Sequence, residues 1–260
     1  MEPFVALMRR YVVDYTNRHD TSLCAELMEP DYTLRMGRHV VAGRDDAYIP
    51  ASRKQFTQFP GLGLTVHEIV TDGTRLAMRF SEHGASVRHG GAAASWTGLG
   101  LYRWNGRRLV DNSVEQDYQS RRRQLAGGPP DPVAAPAVAP WDTAAVPADP
   151  AAERVVRDWI DAGLPDAGVR WDDGDEHPLL DDASSQVDDL FSAGDAVAFR
   201  LTRTGWYAGG LAGVDPSLAG RQTTLHLVGL VRVAGGAVAG GHGVRDRLGM
   251  ARALADAEAA

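Results

Sequence analysis

The chain has 260 residues, a formal net charge of −7, 44% hydrophobic residues and 23% charged residues. That length holds two domains of ordinary size, and the balance is that of a soluble globular protein. The acidic excess excludes a general nucleic-acid binder, because phosphate contacts need a basic face.

A single cysteine, Cys24, rules out an internal disulfide framework and a multi-cysteine metal site. It lies in the apolar run Leu23–Leu27 and reads as a buried small hydrophobe. The opening Met1-Glu2-Pro3-Phe4 lacks the basic and long apolar stretches of a secretory leader. No run approaches the roughly 18 apolar residues of a membrane span, so a cytoplasmic protein is expected. Lys54 is the only lysine against 26 arginines, which reads as the composition of a GC-rich bacterial genome. The basic run Arg121–Arg123 reads as a solvated helix end.

In chain order, Phe4, Leu7, Met8, Tyr11, Val12 and Tyr15 recur at helical spacing and predict an amphipathic opening helix. Thr21 or Ser22 caps a second short helix through Leu27. Residues 32–36 read as a strand, and 40–44 lead into a third helix over about 45–56. The period then changes to two. Strands are predicted over 62–71, 75–84, 94–104 and 108–116, with Asp72-Gly73 and Asn105-Gly106 as hairpin turns. Helices followed by a long antiparallel sheet make an α+β domain.

Residues 127–150 hold seven of the fourteen prolines and should form an extended, semi-rigid linker. It divides the chain into a first domain, 1–126, and a second, 151–260. An isolated Trp141 within it is expected to dock on a domain surface. The second half repeats the first. Val187–Arg200 parallels Val66–Arg79 at an offset of 121, and Gly229–Val233 parallels Gly100–Trp104 at an offset of 129. Asp246 then falls where Asp117 does. An internal duplication is the simplest account. The second copy has fewer residues before its sheet: an opening helix over about 151–162, then the acidic, turn-rich stretch 166–182 with no clear third helix. Loss of part of the wall that closes a pocket is therefore expected there, leaving a degenerate domain.

Pro30-Asp31-Tyr32-Thr33-Leu34, Gly43-Arg44-Asp45-Asp46-Ala47 and the hairpin Tyr102–Val110, followed by Asp117, form an ordered set. The set resembles the SnoaL-like polyketide cyclases of the nuclear-transport-factor-2-like superfamily, well over 5–125 and loosely over 151–255. The resemblance implies two cone-shaped α+β domains, each with helices packed on a curved antiparallel sheet, joined as an intramolecular pseudo-dimer. It implies an apolar pocket, a small-molecule substrate and cofactor-independent acid/base chemistry of the cyclase, isomerase or dehydratase type. Family members often pair, which makes a homo-oligomer a further expectation. A non-catalytic binding or scaffold protein and an epoxide hydrolase are the alternatives, since fold alone does not settle the reaction.

Such chemistry needs a base beside a carbonyl and a donor for the enolate oxygen. Asp117 resembles the family's catalytic aspartate, although it equally suits a helix N-cap. Glu115 shares its strand face. Glu82 lies on the face of Met78 and Phe80, where a carboxylate is costly unless paired or functional, and His83 lies on the opposite face towards the other copy. Near the implied pocket mouth, Tyr32, Arg35, Tyr48 and Trp96 are substrate-binding candidates. His226 and His242 keep a second site open, but no third ligand is spaced with them for a metal. Ketosteroid isomerisation would call for carboxylates near Met36 and at Gly100, where there are none. No phosphate-cradling loop or serine elbow occurs either.

Overall fold

The computed structural model describes residues 1–171 and 178–256. Two sheets organise them. In the first domain α1 (Pro3–Arg9) runs directly into a π-helical stretch (Arg10–Thr16), and a 3₁₀ turn leads into the short α2 (Cys24–Leu27). Then come β1 (Met28–Met36), β2 (His39–Ala42), a second π-helical turn (Arg44–Tyr48) and α3 (Ile49–Gln58). Strands β3 (Gly63–Thr71), β4 (Arg75–Ser86), β5 (Ala92–Trp104) and β6 (Leu109–Gln116) follow, then α4 (Tyr118–Leu125). The sheet order is β2-β1-β6-β5-β4-β3, antiparallel except for the parallel pair β1–β6.

The second domain has α5 (Pro150–Asp161), β7 (Val169–Trp171), β8 (Leu180–Ala193), β9 (Ala196–Tyr207), β10 (Gln222–Ala234), β11 (Ala237–Arg245) and α6 (Arg247–Asp256). Its order is β7-β11-β10-β9-β8, with β7 parallel to β11. Position for position this is the first sheet without β2.

The registers agree with the two offsets. Val66 pairs Phe80 and Glu68 pairs Arg79 across a bulge, while Val187 pairs Leu201 and Asp189 pairs Arg200 across a bulge at the matching place. Met78 faces Gly100 across the ladder, and Phe199 faces Gly229. A bulge costs ladder hydrogen bonds and bends the strand. Its recurrence at one aligned position carries more weight than the side-chain match alone.

Each sheet is buried on both faces. The inner face of the first packs against the helices around Phe4, Met8, Leu27, Met78 and Phe80. Its other face contributes Val70, Ala77, Leu99 and Leu101 to an apolar cluster completed by Phe191, Ala198, Val228 and Leu230 of the second sheet. Strand alternation sends Met78 to one side and Ala77 to the other. The segment after α4 runs along this assembly: Ala137 N–H donates to Val66 C=O, and Val146 N–H donates to Thr71 C=O. Trp141 packs against the first core. Among the described residues no helix is long and apolar enough to cross a membrane.

Two strand ends differ from expectation for one reason. β1 begins at Met28 and not at Tyr32, and β4 runs to Ser86, because neighbouring strands supply partners that local sequence does not reveal. The two π-helical turns were not anticipated either. They follow from hydrogen bonds five residues back, Asn17 N–H to Val12 C=O and Tyr48 N–H to Gly43 C=O, both 2.9 Å. Such insertions often mark functional sites.

Candidate functional site

A cavity of about 230 Å³ lies between the helices and the inner face of the first sheet. The π-helical turns deliver Tyr11, Tyr15 and Tyr48 to it, α3 delivers Ser52 and Gln55, β4 delivers Phe80 and Glu82, and β6 delivers Asn112, Val114 and Gln116. Among the described residues Glu82 is the one carboxylate in its wall.

Glu82 is almost fully buried, at 6% exposure. Its Oε2 accepts a 2.9 Å hydrogen bond from Gln55 Nε2. Burial pushes its carboxyl up to about 7; the Arg121 charge and the hydrogen bonds of Gln55, Gln116 and Trp96 pull the other way without cancelling it. Desolvation of the charged form wins here because Arg121 is committed elsewhere, with its guanidinium 3.9 Å from the Tyr118 ring centroid and 5.0 Å from that of Trp96. A carboxyl poised near neutral pH both takes and returns a proton.

Around it stands a cluster of phenols. Tyr11 Oη lies 3.2 Å from Tyr48 Oη, and Tyr15 Oη lies 3.1 Å from Tyr48 Oη and 2.9 Å from Ser52 Oγ. Ser52 Oγ–H donates to Tyr48 C=O. Burial holds the Tyr11, Tyr15, Tyr48 and Tyr102 hydroxyls far above their ordinary pKa, so each stays a neutral O–H donor. A neutral donor aimed at an oxygen that gains charge is what an oxyanion site requires.

The remaining predicted residues lie elsewhere. Tyr48 lines the cavity, but Tyr32 sits behind it, fully buried and edge-on to Tyr48 at 5.0 Å between centroids. Arg35 is part-exposed and pairs with Asp111 at 3.9 Å. Trp96 packs with Phe59, Leu62 and Leu125, and its Nε1–H donates to Gln116 Oε1 at 2.6 Å. His83 is exposed on the opposite strand face, its ring lying over Gly63; it does not enter the contact between the sheets.

Asp117 and Glu115 do not line this cavity, contrary to the expected placement. They do share a face, but that face meets the second domain, and the intervening Gln116 faces the cavity. Asp117 accepts 2.7 and 2.8 Å hydrogen bonds from Arg247 Nη2, and both side chains are at most 4% exposed. Its Oδ1 also caps α4 by accepting from Ser120 N–H at 3.0 Å. Asp246, its counterpart, caps α6 through Gly249 N–H at 2.8 Å. The N-cap is thus the role common to both copies, and the buried ion pair is shown for Asp117. His226 and His242 also sit on the side away from the second domain's interior, beside Arg200 and Asp246 and beside Arg79 and Glu68, and burial lowers both pKa values.

Glu115 holds the β1–β2 turn. It accepts from Gly37 N–H at 2.8 Å, and Arg200 Nη2 donates to Gly37 C=O at 2.8 Å. Gly37 has φ +51°, and a Cβ there would stand 2.1 Å from Asp246 Oδ2. Gly37→Ala is therefore expected to destabilise the protein by about 2 kcal/mol or more, from left-handed strain plus the clash. Urea unfolding measures it, and a change within about 0.5 kcal/mol contradicts this packing.

Tyr11, Tyr15, Gln55 and Gln116 were not singled out by the sequence. The tyrosines stood at helical spacing among apolar residues and read as core, and the phase of alternation in 112–117 is ambiguous without the second sheet.

The first domain is thus an α+β unit whose helices and sheet enclose one polar-tipped cavity. Residues 8–112 match the model of the SnoaL-like domain, and residues 179–254 match that of the SnoaL-like polyketide cyclase. The chain is thus a tandem of two SnoaL-like domains. Solved structures similar to it include a candidate SnoaL-like polyketide cyclase from Jannaschia sp. CCS1, at 15% identity and TM-score 0.45, covering 49% of this chain and 94% of that one. Others are IdmH, a candidate polyketide cyclase from Streptomyces antibioticus (20%, TM-score 0.42, 48% and 99%), and AclR, a candidate hydroxylase from Streptomyces galilaeus (20%, TM-score 0.42, 48% and 96%). No curated protein matches the chain.

Proposed function

We propose that the first domain is a cofactor-independent acid/base enzyme acting on a small, apolar, carbonyl-bearing molecule, in a cyclase, isomerase or dehydratase type of reaction. The observation that carries this reading is Glu82, a carboxyl pushed up to about 7 in the wall of a cavity otherwise lined by apolar, phenolic and neutral amide and hydroxyl side chains. In the ionised form Glu82 takes the proton from carbon next to the carbonyl. The electron pair moves onto the carbonyl oxygen, where Tyr11 and Tyr48 hydroxyls stabilise the enolate. Protonated Glu82 then returns the proton to carbon or to a leaving oxygen.

The cavity's size supports a compact substrate. At about 230 Å³ it is smaller than the roughly 300–1,000 Å³ of typical drug-sized sites. Epoxide hydrolysis is less well supported, because two acidic groups are wanted and the described wall offers Glu82 alone. Domains 1–126 and 151–260, joined by 127–150, act in this reading as an intramolecular pseudo-dimer, with Asp117 and Glu115 fastening the halves and not reacting. The setting is bacterial and cytoplasmic biosynthesis.

The test is exchange of α-hydrogen for deuterium in small cyclic ketones in D₂O. Expected is protein-dependent exchange that rises as a group near pH 7 deprotonates. Exchange no faster than buffer for every ketone favours a purely binding role and overturns the catalytic one.

A further inference from the structure

The second domain holds a cavity of about 200 Å³ between the turn that follows α5, β7, the start of β8 and one face of its sheet. Registers identify it as the counterpart of the first. Arg203 pairs Leu225 as Glu82 pairs Trp96, and Trp171 stands opposite Gly243 as Met36 would stand opposite Val114. By these equivalences Arg203 replaces Glu82, Arg245 replaces Gln116 and Trp171 replaces Met36. All three line the cavity, together with Leu164, Leu225 and Leu227.

The charge at the reacting position is thereby reversed. Arg203 Nε is buried without a hydrogen-bond partner, and among the described residues no carboxylate pairs with Arg203. Burial alone accounts for the downward displacement of its pKa. A half-buried guanidinium without an anion is costly unless a ligand completes it. Arg245, 7% exposed, lies 6.0 Å over the Trp171 ring and holds it against the cavity.

We propose that the second domain is a binding site for a small carboxylate with an apolar body, the carboxylate taken by Arg203 and the body by Trp171, Leu225 and Leu227. A guanidinium presents two parallel N–H donors that match a carboxylate. A monoanion suits these apolar walls better than a dianion, whose second charge would also have to leave water. The duplicated domain has in this account changed its task from proton transfer to anion recognition, and its cavity is reshaped and not lost.

The probe is phenylacetate titrated calorimetrically into the full chain, with phenylacetamide and phenyl phosphate as controls. Phenylacetate is expected to bind while the amide does not. Arg203→Gln should weaken binding about tenfold or more, the scale of a lost charge-assisted hydrogen bond, and Glu82→Gln should leave it unchanged. No phenylacetate binding at millimolar concentration overturns the proposal. So does binding that follows Glu82 and not Arg203, which would move the ligand to the first cavity. Phenyl phosphate binding with phenylacetate silent overturns the carboxylate assignment. Among the described residues Arg203 has no carboxylate partner, so Arg203→Gln is expected to keep or raise the wild-type melting temperature, which separates lost binding from lost fold.

Discussion

Arg247→Ala is expected to destabilise the protein by about 3–5 kcal/mol. Both charges of the Arg247–Asp117 pair are out of water, at 4% and 2% side-chain exposure. Removing one leaves the other buried without its main compensation, and that desolvation penalty is what unfolding would measure. The reciprocal Asp117→Ala should cost a similar amount, plus about 1 kcal/mol for the lost cap on α4. The pair Asp117→Leu with Arg247→Met should recover much of the loss, since apolar side chains of similar volume often replace a buried ion pair at little net cost. Additive losses in the double variant would show that the coupling is absent. A catalytic Asp117 predicts something else: full stability of the variant with turnover lost.

Glu82→Gln has two expected effects of opposite sign. Activity should fall about a hundredfold or more, the usual scale of a lost acid/base group. Stability should rise at alkaline pH. The sign follows from linkage: the folded carboxyl holds its proton to about pH 7, whereas the unfolded one releases it near 4.5. Below 4.5 both states are protonated and the protein keeps its full stability. Between 4.5 and 7 the unfolded state releases its proton first, so stability falls as pH rises. The difference corresponds to roughly 3 kcal/mol, which the neutral amide does not lose. At pH 8 the variant should therefore unfold at higher denaturant than the wild type, and at pH 4 the two should coincide. Replacement of a structural carboxylate would destabilise at both pH values.

The architecture was largely legible in the sequence. Turn dipeptides and two-residue periodicity located β3 to β6 within a few residues, and the repeated segments predicted the second sheet. The site was legible only where one local pattern sufficed. Glu82 stood out because a carboxylate on the Met78–Phe80 face breaks an apolar stripe. Asp117 and Glu115 were misplaced because both faces of β6 are buried, one by helices and one by the second sheet, so alternation marks no solvent side. The partners that decide their role, Arg247 and Arg200, lie 130 and 85 residues downstream. No local pattern could link them. The shorter helical wall of the second copy suggested a lost pocket, yet the opposing sheet face still bounds a cavity.

Titration of the glutamate side-chain carboxyl carbons by NMR tests the central claim most directly, and it needs no substrate. One resonance is expected to titrate near pH 7, well above the ordinary 4.5, and to vanish from the spectrum of Glu82→Gln. A full set of glutamates titrating below about pH 5.5, or a high-titrating resonance that persists in that variant, would contradict it.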